Sequence, residues 1–259
     1  MDLGIEGRKA LVCASSQGLG FACAMSLSRE GAVVTINGRD AEKLEAARTR
    51  IALATGRDVK AVVADLGDAA ARDMLIAACG DSDILINNNG GPPPGHFLAW
   101  DEAAWMSAIN ANMIPALMLI RGILSGMRER KFGRIVNITS AMVKTPLAPM
   151  GLSTAARTGL TAACKALVPE VACDNVTINS LLPERFDTER QQMMARLTMA
   201  ARNISYEDAR AEIANSIAAK RFGRPEEFGD ACAYLCSAQA SFISGQQIQL
   251  DGGSYRGLF

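Results

Sequence analysis

Lys9-Ala10-Leu11-Val12-Cys13-Ala14-Ser15-Ser16-Gln17-Gly18-Leu19-Gly20 decides the fold. It opens with an apolar run too short for a helix, continues through small and turn-forming residues, and leads into a helical stretch ending near Glu30. A strand, a glycine turn and a helix in that order make the opening unit of an α/β sheet. Such a turn lets the backbone approach a diphosphate, while the helix N-terminus offers unpaired N–H groups and the positive end of a dipole. The same pattern also serves purely structural turns, so a ligand needs further support.

The pattern then recurs. Val33-Val34-Thr35-Ile36 precedes a helix over Ala41 to Ala54, Val59 to Ala64 precedes one over Ala69 to Cys79, and Ile84-Leu85-Ile86 precedes a long one from Asp101. Further on, Arg134 to Ile138 and Val176 to Leu181 read as strands around a helix spanning Leu152 to Cys173, and Gln247 to Leu250 reads as a last strand. Continuous apolar strands between amphipathic helices predict a parallel sheet covered on both faces. The expectation is therefore a three-layer, doubly wound α/β Rossmann fold of about seven strands, with ligands at the carboxyl ends where the strand order reverses. No linker composition divides the chain, so residues 1–259 read as one domain.

Two segments break the rhythm. Gly90-Gly91-Pro92-Pro93-Pro94-Gly95-His96 must be a stiff loop, because three prolines fix φ and donate no backbone hydrogen bond. Residues 187–220 insert a helical segment bearing Met193, Met194 and Met199, which reads either as a surface helical pair or as an adaptable substrate lid.

Bulk properties exclude several classes of function. The 259 residues are 49% hydrophobic and 21% charged, which argues against disorder, and 27 basic residues balance 27 acidic ones. Nucleic acid is not an expected partner, because no basic run with interleaved aromatics occurs. No run of about 18 apolar residues suggests a membrane span, and Met1 to Glu6 resembles no secretory leader, so a cytoplasmic protein is expected. Seven scattered cysteines read as core residues of a reducing compartment. Cys232 and Cys236 stand one helical turn apart, but nothing completes a metal site, and no metal is expected.

Further motifs carry a resemblance to the short-chain dehydrogenase/reductase family over nearly the whole chain, closest in style to 3-oxoacyl-(acyl carrier protein) reductases. The family's TGxxxGxG is represented by Cys13 to Gly20, with Ala14 replacing the first glycine. Its NNAG is similar to Asn87-Asn88-Asn89-Gly90, and Asp65, followed by Leu66, sits where a family carboxylate meets adenine. Arg221 to Glu227, Ser244-Gly245-Gln246 and Leu250-Asp251-Gly252-Gly253 follow in family order. The resemblance implies a dinucleotide held by Ala14, Ser15, Ser16, Gln17, Gly18, Leu19, Gly20, Asp65, Leu66, Asn88, Asn89, Gly90, Pro183 and Thr188. It also implies association as a homodimer or homotetramer through the long helices beginning near Asp101 and Leu152.

The end of the second strand bears on which dinucleotide. An acid there grips the adenine ribose hydroxyls and repels a 2′-phosphate. Here Asn37-Gly38-Arg39 has no acid and adds a guanidinium suited to phosphate, which predicts NADP(H) over NAD. The plainer alternative is an Arg39 that faces only solvent or Asp40.

Carbonyl reduction needs a hydride and a proton for the developing alkoxide. By resemblance, Asn112 and Ser140 match the family's helper asparagine and serine, but Ser153-Thr154-Ala155-Ala156-Arg157 replaces YxxxK. Ser153 is a weaker and shorter donor than a tyrosine, and Arg157 binds or polarises without ordinary proton transfer, so the pair resembles an electrostatic clamp that also holds the nicotinamide ribose. Lys144, His96 and Glu184, which replaces the glycine of a family Pro-Gly, are candidate substitutes or simply solvated side chains. The expected activity is NADP(H)-dependent interconversion of a carbonyl and an alcohol on a small to medium, partly apolar molecule. A non-catalytic NADP(H)-binding protein and a non-redox conversion are the alternatives.

Overall fold

Lys9–Val12 (β1) sits in the middle of the sheet because its residues bury on both faces. In the computed structural model, which describes residues 2–258, Ala10 and Val12 face one core cluster and Leu11 faces the other. That alternation follows from the period of two along a strand. Burying one such Leu or Val side chain stabilises the fold by about 1.5–3 kcal/mol, which is why Ala10, Leu11 and Val12 are all apolar and buried.

The other strands are Val33–Gly38 (β2), Lys60–Val63 (β3), Ile84–Asn87 (β4), Gly133–Ile138 (β5), Val176–Pro183 (β6) and Gln247–Leu250 (β7). They form one seven-stranded parallel sheet of order β3-β2-β1-β4-β5-β6-β7 in a single α/β domain. The chain winds outward from β1 to β3 and then returns to β4, so the order reverses between β1 and β4. The turn after β1 and the Asn88-Asn89-Gly90 segment after β4 therefore meet at one crevice, as the topology requires of a ligand site.

Gly18–Arg29 (α1) and Ala41–Thr55 (α2) cover one face, and Ala69–Cys79 (α3) covers the other. The expected long helix from Asp101 is instead two, Glu102–Asn112 (α4) and Ile114–Glu129 (α5), broken at Met113. The cause is Pro115, which has no N–H to give the Ala111 carbonyl. That carbonyl accepts from Asn89 Nδ2 at 2.7 Å instead, so a helix defect becomes a tie to the crevice. The run Glu102–Glu129 is long and apolar enough by composition to cross a membrane, yet here it packs against α3 and β5 as a layer of the domain.

Gly151–Val171 (α6) completes the second face with Leu160, Cys164 and Val171. The 187–220 insertion holds Glu189–Arg202 (α7) and Tyr206–Asn215 (α8), and Pro225–Cys236 (α9) returns to pack on α1. Six cysteines are buried as expected, but Cys173 is exposed because it lies in the turn after α6 rather than on that helix's inner face.

Candidate functional site

The turn after β1 is held from both sides. Ser15 N donates to the Asn37 carbonyl at 2.8 Å and Ser15 Oγ to the Val12 carbonyl at 2.7 Å, while Asn37 N donates back to Ser15 Oγ at 3.1 Å. Asn88 Nδ2 donates to the Ala14 carbonyl at 3.1 Å. Ala14 itself has φ +44°, the left-handed region, which explains why a glycine is the expected residue there. A Cβ at Gly20 would stand 2.5 Å from the Ala14 oxygen, so only glycine lets α1 start this close to the turn.

Gln17, the residue before α1, makes no side-chain cap bond, and the first turn of α1 carries no acid of its own. Its amide groups and the positive end of the helix are thus left to an anion. Gln17 and Gly18 line a groove of about 260 Å³ together with Thr188, Glu189 and Gln192 from the start of α7. Thr188 and the Glu189 carboxylate face Gly18 across it. Ser16 lies against Gly38, while Leu19 is turned into the core.

Arg39 is largely exposed and approaches Asp65 at 3.9 Å. It does not pair with Asp40, whose carboxylate accepts from Lys43 N at 3.1 Å and caps α2. Asp65 closes its own turn by accepting from Gly67 N at 2.8 Å, and Leu66 beside it is buried. At the end of β4, Asn87 Nδ2 donates to Asn137 Oδ1 at 2.9 Å and Asn89 Oδ1 accepts from Gly90 N at 2.9 Å.

Ser140 and Asn112, the helpers that the resemblance implies, lie just beyond β5 and at the end of α4. Ser140 follows β5 and its Oγ accepts from Met142 N at 3.3 Å. Asn112 is buried at the end of α4 with its Oδ1 lacking a partner, and it lines a space of about 20 Å³ with Asn87, Asn88, Asn89, Leu66 and Arg157. A space of that size takes about one water, which would satisfy the Asn112 oxygen.

Arg157 is wholly buried and its donors are largely spent on the protein. Nε donates to Ser153 Oγ at 3.1 Å, Nη1 to the Ile138 and Thr139 carbonyls at 2.8 and 2.9 Å, and Nη2 to the Asn89 carbonyl at 3.3 Å. Burial, with a smaller contribution from Arg190, pulls its pKa down to about 10, so the guanidinium keeps its charge at neutral pH. No salt bridge neutralises it among the described residues. The clamp expected from the sequence is thus a polar staple joining the ends of β4 and β5 to α6.

The proline loop crosses over this staple. A Cβ at Gly91 would lie 3.5 Å from Arg157 Nη2 and 3.6 Å from Ser153 Oγ. The loop is fixed by Gly95 N donating to the Pro149 carbonyl at 2.9 Å and by Trp100 lying against Gly95 and Gly151. Gly91 and the buried Ser153 are therefore packing neighbours.

Of the proposed substitutes, His96 is exposed on the loop, and Lys144 lies over the Tyr255 ring at 5.4 Å. Glu184 follows Pro183 at the end of β6, donates its N–H to the Leu250 carbonyl at 3.1 Å, and is half-buried. Burial raises its pKa, Arg185 opposes the rise and Asp251 adds to it. Asn37 and Gly91 escaped the sequence reading as site residues. An asparagine ending an apolar strand was an available signal for the first, whereas Gly91 carried none, because its neighbour on α6 is 62 residues away.

The sequence model of the family described as Enoyl-(Acyl carrier protein) reductase matches residues 13–255. The chain is 32% identical to the NADPH-dependent reductase BacG of Bacillus subtilis, covering 97% of this chain and 99% of that one. It is 30% identical to the 3-oxoacyl-(acyl carrier protein) reductase FabG of Vibrio harveyi, covering 98% and 99%. Among solved structures, L-sorbose reductase from Gluconobacter frateurii, in complex with NADPH and L-sorbose, superposes with a TM-score of 0.94 at 27% identity over the full length of both chains. With a glycine turn at the β1–β4 crevice, seven parallel strands and matches of this extent, the chain belongs to the short-chain dehydrogenase/reductase family.

Proposed function

We propose that the chain is an NADP(H)-dependent oxidoreductase that interconverts a carbonyl and an alcohol on a small to medium, partly apolar molecule. The observation that carries the cofactor assignment is an exposed guanidinium at Arg39, at the end of a β2 whose last residues include no acid. The residues fit such a group: α1 begins with an uncapped N-terminus, a glycine turn lies against it, and a groove opens beside both.

The amides of Gly18, Leu19 and Gly20 would hold the diphosphate, Arg39 the 2′-phosphate, Asp65 the adenine, and Asn88, Gly90, Pro183 and Thr188 the nicotinamide half. When bound, NADPH supplies the hydride. Ser140 then positions the carbonyl oxygen by its hydroxyl, and the buried Arg157 charge stabilises negative charge developing there. Relatives and structural neighbours named as NADPH-dependent reductases support this reading over a non-catalytic one.

The half-exposed Met193 and Leu197 on α7 support an adaptable lid over an apolar substrate. Only 28% of the most apolar stretch of α4 and α5 is buried within the chain, which supports a homodimer or homotetramer covering it. We place the protein in the cytoplasm on its thiol-rich core. Calorimetric titration with NADPH and NADH, followed by single-turnover oxidation of NADPH across a carbonyl panel, tests the function. Tighter uptake of NADPH and loss of its absorbance with at least one carbonyl are expected. Uptake without absorbance loss across the panel overturns the catalytic reading.

A further inference from the structure

We propose that Glu184 is the proton donor of this site, giving its carboxyl proton to the substrate oxygen in place of the tyrosine for which Ser153 stands. The inference rests on the carbonyl-reduction reading above and deepens it.

Geometry favours Glu184 over the other side chains that the sequence offered. Ser153 Oγ accepts from Arg157 and lies beneath Gly91, so its hydroxyl is enclosed by the staple and the loop. Arg157 keeps its proton at any working pH. His96 is exposed on the proline loop, and Lys144 is held over Tyr255.

Glu184 is brought to the right edge of the sheet. β6 is the hydrogen-bonded neighbour of β5, with Ile138 opposite Leu181 and Thr139 N donating to the Leu181 carbonyl at 2.9 Å. Ser140 is the second residue beyond Ile138 and Glu184 the third beyond Leu181, so both emerge at the carboxyl ends of adjacent parallel strands. Pro183 pairs with Leu250, which fixes the backbone from which Glu184 projects. The Glu184 side chain is only 18% exposed, which leaves solvent enough access to reprotonate it after each turnover. The charged groups that act on it are Arg185 on its own segment, at 3.8 Å, and Asp251 following β7. Burial and Asp251 favour the protonated carboxyl, the form that an acid needs before the reaction.

The step balances. As hydride adds to the carbonyl carbon, the C=O π pair moves to oxygen, the Glu184 O–H bond breaks, and its proton goes to that oxygen. The products are the alcohol, the oxidised dinucleotide and the Glu184 carboxylate, which water reprotonates. In the reverse direction the carboxylate accepts the alcohol proton.

The test compares wild type, Glu184→Gln and Glu184→Asp. It uses NADPH binding by fluorescence, thermal melting, and the pH dependence of NADPH oxidation with ethyl acetoacetate, L-sorbose and further carbonyls. A general acid contributes about 10²–10⁴-fold, so E184Q should lose that much in kcat while binding NADPH as wild type does. Wild-type reduction should fall as pH rises through the raised Glu184 pKa. That limb should vanish in E184Q and persist, at a lower rate, in E184D. An E184Q that turns over like wild type, or that slows yet keeps the wild-type limb, overturns the assignment. A wild type that binds NADPH but oxidises it with no carbonyl overturns the underlying reading, and the assignment with it.

Discussion

Arg157 donates from Nε to the hydroxyl of Ser153 at 3.1 Å, one turn back along α6, at the positions where the resemblance leads one to expect lysine and tyrosine. The remaining guanidinium bonds run to backbone carbonyls of β5, the residue after it, and Asn89. The substituted pair is thus a structural unit as well as a source of positive potential.

Removing that unit should be costly. Arg157→Ala leaves the Ile138, Thr139 and Asn89 carbonyls without this donor, and each buried orphan costs about 1–3 kcal/mol. We expect a loss of roughly 3 kcal/mol in urea unfolding with an unchanged m-value. A change under 1 kcal/mol would show, on the order-of-magnitude scale of such bonds, that water replaces the guanidinium.

Restoring tyrosine alone should fail. Ser153 is buried and Gly91 of the proline loop lies nearby, so Ser153→Tyr must displace a loop pinned by Gly95 and Trp100. Overpacking of this kind costs about 1–3 kcal/mol, read as a lower melting temperature, and S153Y should reduce carbonyls no faster than wild type. A faster and equally stable S153Y contradicts this packing of Gly91 beside Ser153.

Ala14→Gly should stabilise the protein. The φ of +44° costs an L-residue about 1–2 kcal/mol, partly offset by the extra freedom of glycine in the unfolded chain. The expected net gain is about 0.5–1 kcal/mol in equilibrium unfolding. No gain, or a loss, means that the Ala14 methyl packs usefully in the turn.

Arg39 should govern the choice of coenzyme. Charge-assisted bonds contribute about 1.5–3 kcal/mol, so Arg39→Ala should weaken NADPH binding about 10- to 100-fold and leave NADH binding nearly unchanged. Equal losses for both coenzymes would shift the role of Arg39 to the turn itself.

Acid should loosen the entry to α9. Arg221 and the Arg224 N–H, at 2.9 and 2.8 Å, hold the Glu227 pKa down at about 2. Because the folded value is depressed, this contribution is complete above the ordinary glutamate range and disappears as pH falls toward 2. E227Q should therefore be less stable than wild type near neutrality, and the two should converge in acid. Parallel curves at all pH would remove the ion pair as the cause.

Much of this was legible because period and punctuation agreed. β1, β2 and β4 are apolar runs ended by small or amide residues, and Pro115 and the glycine turns sit where the backbone requires them. Asn112, Ser140 and Arg157 were expected at the site only through the family resemblance. The bonds of Arg157 could not be foreseen, because its acceptors lie on other strands and are backbone groups with no side-chain signature. The break at Met113 and the crossing of Gly91 likewise depend on what the fold brings near. Cys173 was misread because composition says nothing about which face a cysteine takes.

The carbonyl that Pro115 leaves to Asn89 makes the α4–α5 junction and the nucleotide crevice one mechanical linkage, running from Ala111 through Asn89 to Arg157. Two hydrogen bonds thus tie the junction of those helices to the buried guanidinium. A movement of the Ala111 carbonyl would therefore reach Arg157 by way of Asn89.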